Sequence, residues 1–250
     1  MNKFKNLLQI YQENIEDDIS KRIDFIKNSI NQAQARGVVI GISGGIDSAV
    51  VAALCINALG SEKVLGVWMP AYSNIVHEKD ANILAASIGL NLITVNLGQT
   101  YDVLNQELEK VVELDNLLKG NIKARLRMTT LYAIAGQKKY LVSDTCNLSE
   151  IYIGYMTKGG DGLADFNPIA SLTKHQIRIL ARYLAIPQRI IDKVPSADLW
   201  EGQTDENEMG FTYEQLDNYL LTQEGEPEIL KKIERLHKNS EHKRVLMASI

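Results

Sequence analysis

Thiols are nearly absent from this 250-residue chain, which holds only Cys55 and Cys146. Two cysteines cannot supply a disulfide scaffold or a four-thiolate zinc site. No uncharged apolar run of about 18 residues occurs, so no membrane association is expected. The opening MNKFKNLLQIYQENIEDD lacks a continuous apolar core ahead of its acids, which argues against a secretory leader and for a cytoplasmic protein. A basic field is missing as well. Lys+Arg number 27 against 31 Asp+Glu, for a formal net charge of -4, which speaks against a nucleic-acid-binding protein. What is present is 45% hydrophobic, the composition of an ordinary globular chain. No repeat or low-complexity linker divides it, and one domain over residues 1–250 is expected.

Hydrophobic periodicity sets an order of elements. Phe4, Leu7, Leu8 and Tyr11 fit one helix face. A second helix is predicted from about Ser20, with Ile23, Ile26, Ile30 and Ala33 inward and Gly37 as its end. Residues 38–42 are apolar on both faces, as a strand covered by helices on each side must be. Residues 49–59 have almost no polar face and read as a buried helix. Strands are predicted at 64–69, 92–95 and 140–142, with helices at 78–88, 104–112 and 117–136 between them. That alternation means an α/β protein with a mostly parallel sheet and right-handed crossovers. Further on, 154–170 is rich in Gly and Asp and reads as an ordered functional loop, and helices are predicted at 173–184 and 188–193. Thr212 and Gln215 form a capping-box pattern, and Pro227 suits the first turn of a last helix running to His237. The stretch 196–210 is polar and acidic, with few structural signals.

The sharpest feature follows the first core strand: Ser43-Gly44-Gly45-Ile46-Asp47-Ser48. Adjacent glycines let the backbone turn tightly and approach a ligand. Consecutive amides in such a turn form an anion nest, and the next helix adds unpaired N–H groups and the positive end of its dipole. Two hydroxyls flank the turn. The combination suits phosphate or pyrophosphate. It is neither a Walker loop, since the Lys is missing, nor a dinucleotide fingerprint, since the G-x-G-x-x-G spacing is absent. Asp47 would repel phosphate unless a divalent cation lay between them, which implies Mg²⁺. A helix cap would explain one of these residues, not the glycine pair with both hydroxyls.

This loop resembles the pyrophosphate-binding loop of the N-type ATP pyrophosphatases, whose members include amidating and thiolating enzymes. Six later segments resemble the ammonia-dependent NAD synthetases: 121–128 (NIKARLRM), 145–150 (TCNLSE), 154–165, 193–199 (KVPSADL), 203–206 (QTDE) and 242–244 (HKR). The resemblance implies a Rossmann-like three-layer α/β fold acting as a homodimer. It also implies adenylation of deamido-NAD+ by Mg-ATP, then attack by ammonia to give NAD+, AMP and pyrophosphate. The 37 residues ahead of Val38 leave no room for the glutaminase domain of other members.

Carried over residue by residue, the resemblance gives ATP binding to Gly41, Ile42, Ser43, Gly44, Gly45, Ile46, Asp47, Ser48, Thr145, Lys174 and Ser196. Asp47 and Glu150 would ligate Mg²⁺, with Asp47 and Lys174 as the catalytic pair, Lys174 reaching the β or γ phosphate. Arg125, Lys158, Asp165, His242 and Lys243 would bind deamido-NAD+. His242 is not expected to act as a base, because ammonia is already nucleophilic. Arg127, two positions from Arg125, falls on a different helix face. Cys146 is expected to pack in the site wall and Cys55 in the core. Segments 154–165 and 196–210 are expected to close over substrate. The sequence departs from the family pattern at Asp144, where Gly is frequent, and in the tail after Arg244, where Pro is frequent.

Overall fold

The computed structural model describes residues 3–195 and 204–245, so residues 196–199 of the 193–199 segment, Ser196 among them, and Gln203 of the 203–206 segment lie outside the described residues. Among the described residues four strands form one sheet: β1 (Val38–Gly41), β2 (Val64–Trp68), β3 (Asn91–Thr94) and β4 (Leu141–Ser143). Their order is β3-β2-β1-β4 and every pairing is parallel, with Val38 beside Val64 on one side and Leu141 on the other. The chain therefore steps outward from β1 to β3, then returns to lay β4 on the other side of β1. The loops leaving β1 and β4 diverge at that reversal, where open α/β sheets bind ligands.

The helices of the N-terminal half are α1 (Lys3–Glu13), α2 (Ile15–Gln32), α3 (Ile46–Leu59), α4 (Ile75–Ile88), α5 (Gly98–Leu108) and α6 (Asn116–Lys138). After β4 come α7 (Leu148–Ile153), α8 (Lys174–Tyr183), α9 (Gln188–Ile191), α10 (Asp205–Met209), α11 (Tyr213–Thr222) and α12 (Pro227–Asn239). The alternation of β1 explains its two apolar faces. Val38 and Ile40 enter the core beneath α2, α3 and α8, with Ile26, Leu54 and Leu180. Val39 enters the opposite layer with Val67, Met128 and Leu131 of α6. Helix α3 has no polar face because sheet, α2 and α8 enclose it, and Cys55 is wholly buried there. A third cluster joins Ile153, Phe211, Tyr213, Leu216 and Ile233 at the C-terminal end.

Several boundaries differ from the periodicity. Helix α2 starts at Ile15 and stops at Gln32, ahead of Gly37, and Ala33 is exposed. Gly37 serves packing instead, since a Cβ there would lie 2.3 Å from the Lys63 carbonyl oxygen. Of the expected face of α1, only Phe4 is fully buried. Helix α5 starts early because the Asn96 side chain accepts the Gly98 N–H at 2.9 Å. It ends at Leu108, which leaves Val111 and Val112 exposed beyond it. The short helices α7 and α10 were not legible from periodicity. The capping boxes at Thr212 and, unforeseen, at Thr173 and Asn147 are formed.

Candidate active site

The loop after β1 is tight and largely bonded to itself. Gly44 has φ +73°, and a Cβ there would sit 2.5 Å from the His77 carbonyl oxygen, so only glycine allows both the turn and the approach of α4. The Ser43 hydroxyl accepts the Gly45 N–H at 3.2 Å, and the Ser48 hydroxyl accepts the Ser43 N–H at 3.3 Å. Both hydroxyls, expected to face phosphate, thus also brace the turn. The first helical bond of α3 runs from Ala49 N–H to Gly45 C=O at 3.2 Å. The amides of Ile46, Asp47 and Ser48 precede it and have no partner within the helix.

Across the switch point, α7 and α8 bring the other charges. Lys174, the first residue of α8, is 3% exposed, and its Nζ lies 2.7 Å from Asp47 Oδ2 and 3.0 Å from Glu150 Oε1. Asn147 donates to Asp47 Oδ1 at 3.0 Å, while Glu150 Oε2 accepts the Asn147 N–H at 3.1 Å. The ring of Tyr213 faces the ammonium at 5.0 Å, and its hydroxyl donates to Asp205 Oδ2 at 2.9 Å. Asp205 is 4% exposed and its Oδ1 has no hydrogen-bond partner among the described residues. Burial pushes the Glu150 carboxyl above its ordinary range, with Lys174 pulling the other way and Asp47 and Asp205 adding to the rise. Burial opposes the charge on Lys174, but Asp47 and Glu150 outweigh it and keep the ammonium protonated.

Two carboxylate oxygens therefore converge on one cation, here the ammonium. Hard oxygen donors of that kind suit Mg²⁺, which commonly takes one or two carboxylates and completes its shell with phosphate and water. Among the described residues no group of three or more His, Cys, Asp or Glu side chains is arranged around a metal position.

A buried network holds the pair in place. The Lys174 N–H donates to Ser149 Oγ at 3.1 Å, and that hydroxyl donates to Asp217 Oδ1 at 2.5 Å. Asp217 Oδ2 accepts the His175 N–H at 2.8 Å. A separate tie braces the phosphate loop. Lys193 Nζ reaches the Gly44 carbonyl at 3.0 Å and Asp80 Oδ2 at 2.8 Å, and Asp80 also binds Arg189 Nε at 2.5 Å.

These groups line a cavity of about 440 Å³ that runs from the loop past Thr145, Cys146 and Arg127 to Gly154, Thr157 and Lys243. Cys146 is buried in its wall, as expected. Arg127 donates to the Met69 carbonyl at 3.1 Å on the cavity side, whereas Arg125 is exposed. Of the expected deamido-NAD+ group, only Lys243 lines the cavity. Arg125 donates to the Lys158 carbonyl at 3.2 Å, and Lys158 to the His242 carbonyl at 2.8 Å, so these three form an outer rim. Asp165 lies beside β4, accepting from the Val142 N–H at 2.7 Å and the Tyr132 hydroxyl at 3.2 Å. The Asp144 carboxylate turns back to accept the amides of Thr145 at 2.6 Å and Cys146 at 2.9 Å.

Sequence reasoning gave no role to Asn147, Arg178, Lys193, Asp205, Tyr213 or Asp217. The capping pattern Asn147-Leu148-Ser149-Glu150 was a usable signal for Asn147. Lys193 and Asp205 lie in the resembling segments 193–199 and 203–206, which left their roles open; Arg178, Tyr213 and Asp217 carry no local signature.

Comparison with known proteins agrees with this geometry. The NAD synthase family profile matches residues 18–247. The NH(3)-dependent NAD(+) synthetase of Carboxydothermus hydrogenoformans is 47% identical over 233 residues, covering 92% of this chain and 96% of that one. The NMN synthetase structure from Francisella tularensis superposes with a TM-score of 0.89 at 36% identity, over 94% of this chain and 98% of that one. The NH3-dependent NAD synthetase structure from Campylobacter jejuni, in complex with the nitrate ion, gives 0.78 at 32% identity over 94% and 98%. A Gly-rich anion turn, two convergent carboxylates with a buried lysine, and sequence likeness along nearly the whole length all lead to one assignment: the chain belongs to the NAD synthase family.

Proposed function

We propose that the protein is an ammonia-dependent NAD+ synthetase, a ligase that forms a C–N bond. The nicotinate carboxylate of deamido-NAD+ attacks the α-phosphorus of ATP, and the bond to the β-phosphate bridging oxygen breaks, releasing pyrophosphate. Ammonia then attacks the acyl carbon, loses a proton to solvent, and displaces AMP to leave the amide. The observation that carries this reading is the convergence of Asp47, Glu150 and Lys174 at the mouth of the Gly44–Gly45 turn, in one cavity with Lys243.

The amides of 46–48 and the α3 dipole stabilise charge that grows on the departing pyrophosphate. Asp47 and Glu150 would hold Mg²⁺, which when bound neutralises the polyphosphate and screens it from the carboxylates. Thr145 and Ser196 would contact ATP, the latter lying outside the described residues. Arg125, Lys158, His242 and Lys243 would bind the dinucleotide phosphates, with Asp165 accepting from a ribose hydroxyl. Positioning and charge balance do the catalytic work, without a side-chain base for ammonia.

The reading extends to a single NAD synthetase domain, a cytoplasmic location and a homodimer. Among the described residues no helix is long and apolar enough to cross a membrane. Val103, Leu104, Val111, Val112, Leu117 and Leu118 are exposed around the α5–α6 turn, a surface that supports self-association. Sedimentation should give twice the chain mass of 27.9 kDa; a monomer at micromolar concentration would refute the dimer.

Protein incubated with Mg-ATP, ammonium and deamido-NAD+ should yield NAD+ and AMP in equal amounts. ADP as product would contradict the mechanism. The likeness to an NMN synthetase favours one second reading, amidation of the mononucleotide nicotinate instead. Nicotinate mononucleotide supplied in place of deamido-NAD+ should react poorly, and a preference for it would establish the second reading.

A further inference from the structure

The charges around the phosphate loop are unequally committed. Lys174, which the sequence comparison would send to the β or γ phosphate, is held by Asp47 at 2.7 Å and Glu150 at 3.0 Å. Lys193 is held by Asp80 at 2.8 Å and by His77 Nδ1 at 2.6 Å. Arg178 is different. It lies four residues beyond Lys174 on α8 and so on the same face. Its half-buried side chain lines the cavity together with Gly45, Asp47 and Lys193. No hydrogen bond or ion pair with a described residue engages its guanidinium. A cation drawn partly out of water with no counter-charge among the described residues costs free energy unless an anion enters beside it. The neighbouring turn is built to hold such an anion.

We propose that Arg178 binds the pyrophosphate end of ATP, and then the released pyrophosphate, through the paired donors of its planar guanidinium. This rests on reading the cavity as an ATP pyrophosphatase site. Because negative charge grows on the leaving pyrophosphate, Arg178 acts on transition state and product more than on the AMP portion.

The test is calorimetric titration of Mg-pyrophosphate and, separately, AMP into the full-length protein and its Arg178→Gln and Arg178→Lys variants, with melting curves as the folding control. Pyrophosphate affinity should fall about tenfold or more in R178Q, with AMP affinity within about twofold. R178K, which keeps the charge and loses the fork, should fall in between, and serves as the comparison if R178Q does not fold. Unchanged pyrophosphate affinity in a folded variant overturns the assignment, as does an equal loss for AMP. Wild-type protein that binds pyrophosphate but makes no NAD+ refutes the functional reading instead, while the variants still decide the role of Arg178.

Discussion

Lys174 and Asp47 are 127 residues apart in the chain, and their ammonium and carboxylate meet at 2.7 Å, the lysine almost completely buried. Glu150 completes the contact at 3.0 Å. The ammonium thus occupies the point between the two carboxylates proposed to hold Mg²⁺. Attraction in a poorly solvated setting is strong, and it offsets the cost of burying three charges only while all of them are present.

Replacing Lys174 by Met should therefore expose a mutual repulsion. The variant should lose about 3–5 kcal/mol of stability without metal. Mg²⁺ should restore part of that loss, because a ligand that binds the folded state stabilises it. Thermal unfolding with and without Mg²⁺ measures this. A Mg²⁺-induced rise in Tm no larger in K174M than in wild type would show that the carboxylates do not share a cation.

Asp47→Ala tests the metal role from the other side. Lys174 keeps Glu150, so the fold should survive, whereas turnover should fall about 100-fold or more. Steady-state NAD+ formation at saturating Mg-ATP is the measurement, and a near-normal rate would remove Asp47 from the metal site.

The Asp80 tie predicts a pH dependence. Burial works against its charge, but hydrogen bonds from Lys193 and Arg189 outweigh it and hold the carboxyl below its ordinary 3.8. A group depressed in the folded state stabilises it fully above its unfolded pKa and loses that contribution as pH falls through the folded value. The stability gap between wild type and Asp80→Asn should then be about 1–3 kcal/mol at neutral pH and close progressively below ~pH 4. Denaturant melts across that range would reveal it, and a gap independent of pH would contradict the ion-pair account.

Asp217 is wholly buried and accepts from Ser149, from the His175 amide and from the His175 ring at 2.7 Å when Nδ1 carries its proton. Asp217→Ala should cost about 2–4 kcal/mol, since it leaves those donors unpaired. It should also lower kcat, because Ser149 anchors the Lys174 amide. Asp217→Asn should recover part of both losses. Loss of stability with kcat intact would reduce the network to a purely structural role.

The glycine turn with Asp47, the apolar first strand, the βα alternation and the capping box at Thr212 are local patterns. Short-range sterics and periodicity fix them, so the sequence carried the α/β class and the phosphate-loop residues Gly41 to Ser48. It also named Glu150 and Lys174 through family resemblance. The strand order that sets β4 beside β1, the closure of Lys174 onto Asp47 and Glu150, and the outer rim of Arg125, Lys158 and His242 were decided only in three dimensions. So were the places of Tyr213, Asp217 and Arg178, which no spacing rule marks. Local patterns report which residues lie near each other along one element. Which charges meet depends on how separate helices pack across the sheet, and that follows from the sum of all apolar burial rather than from any one segment.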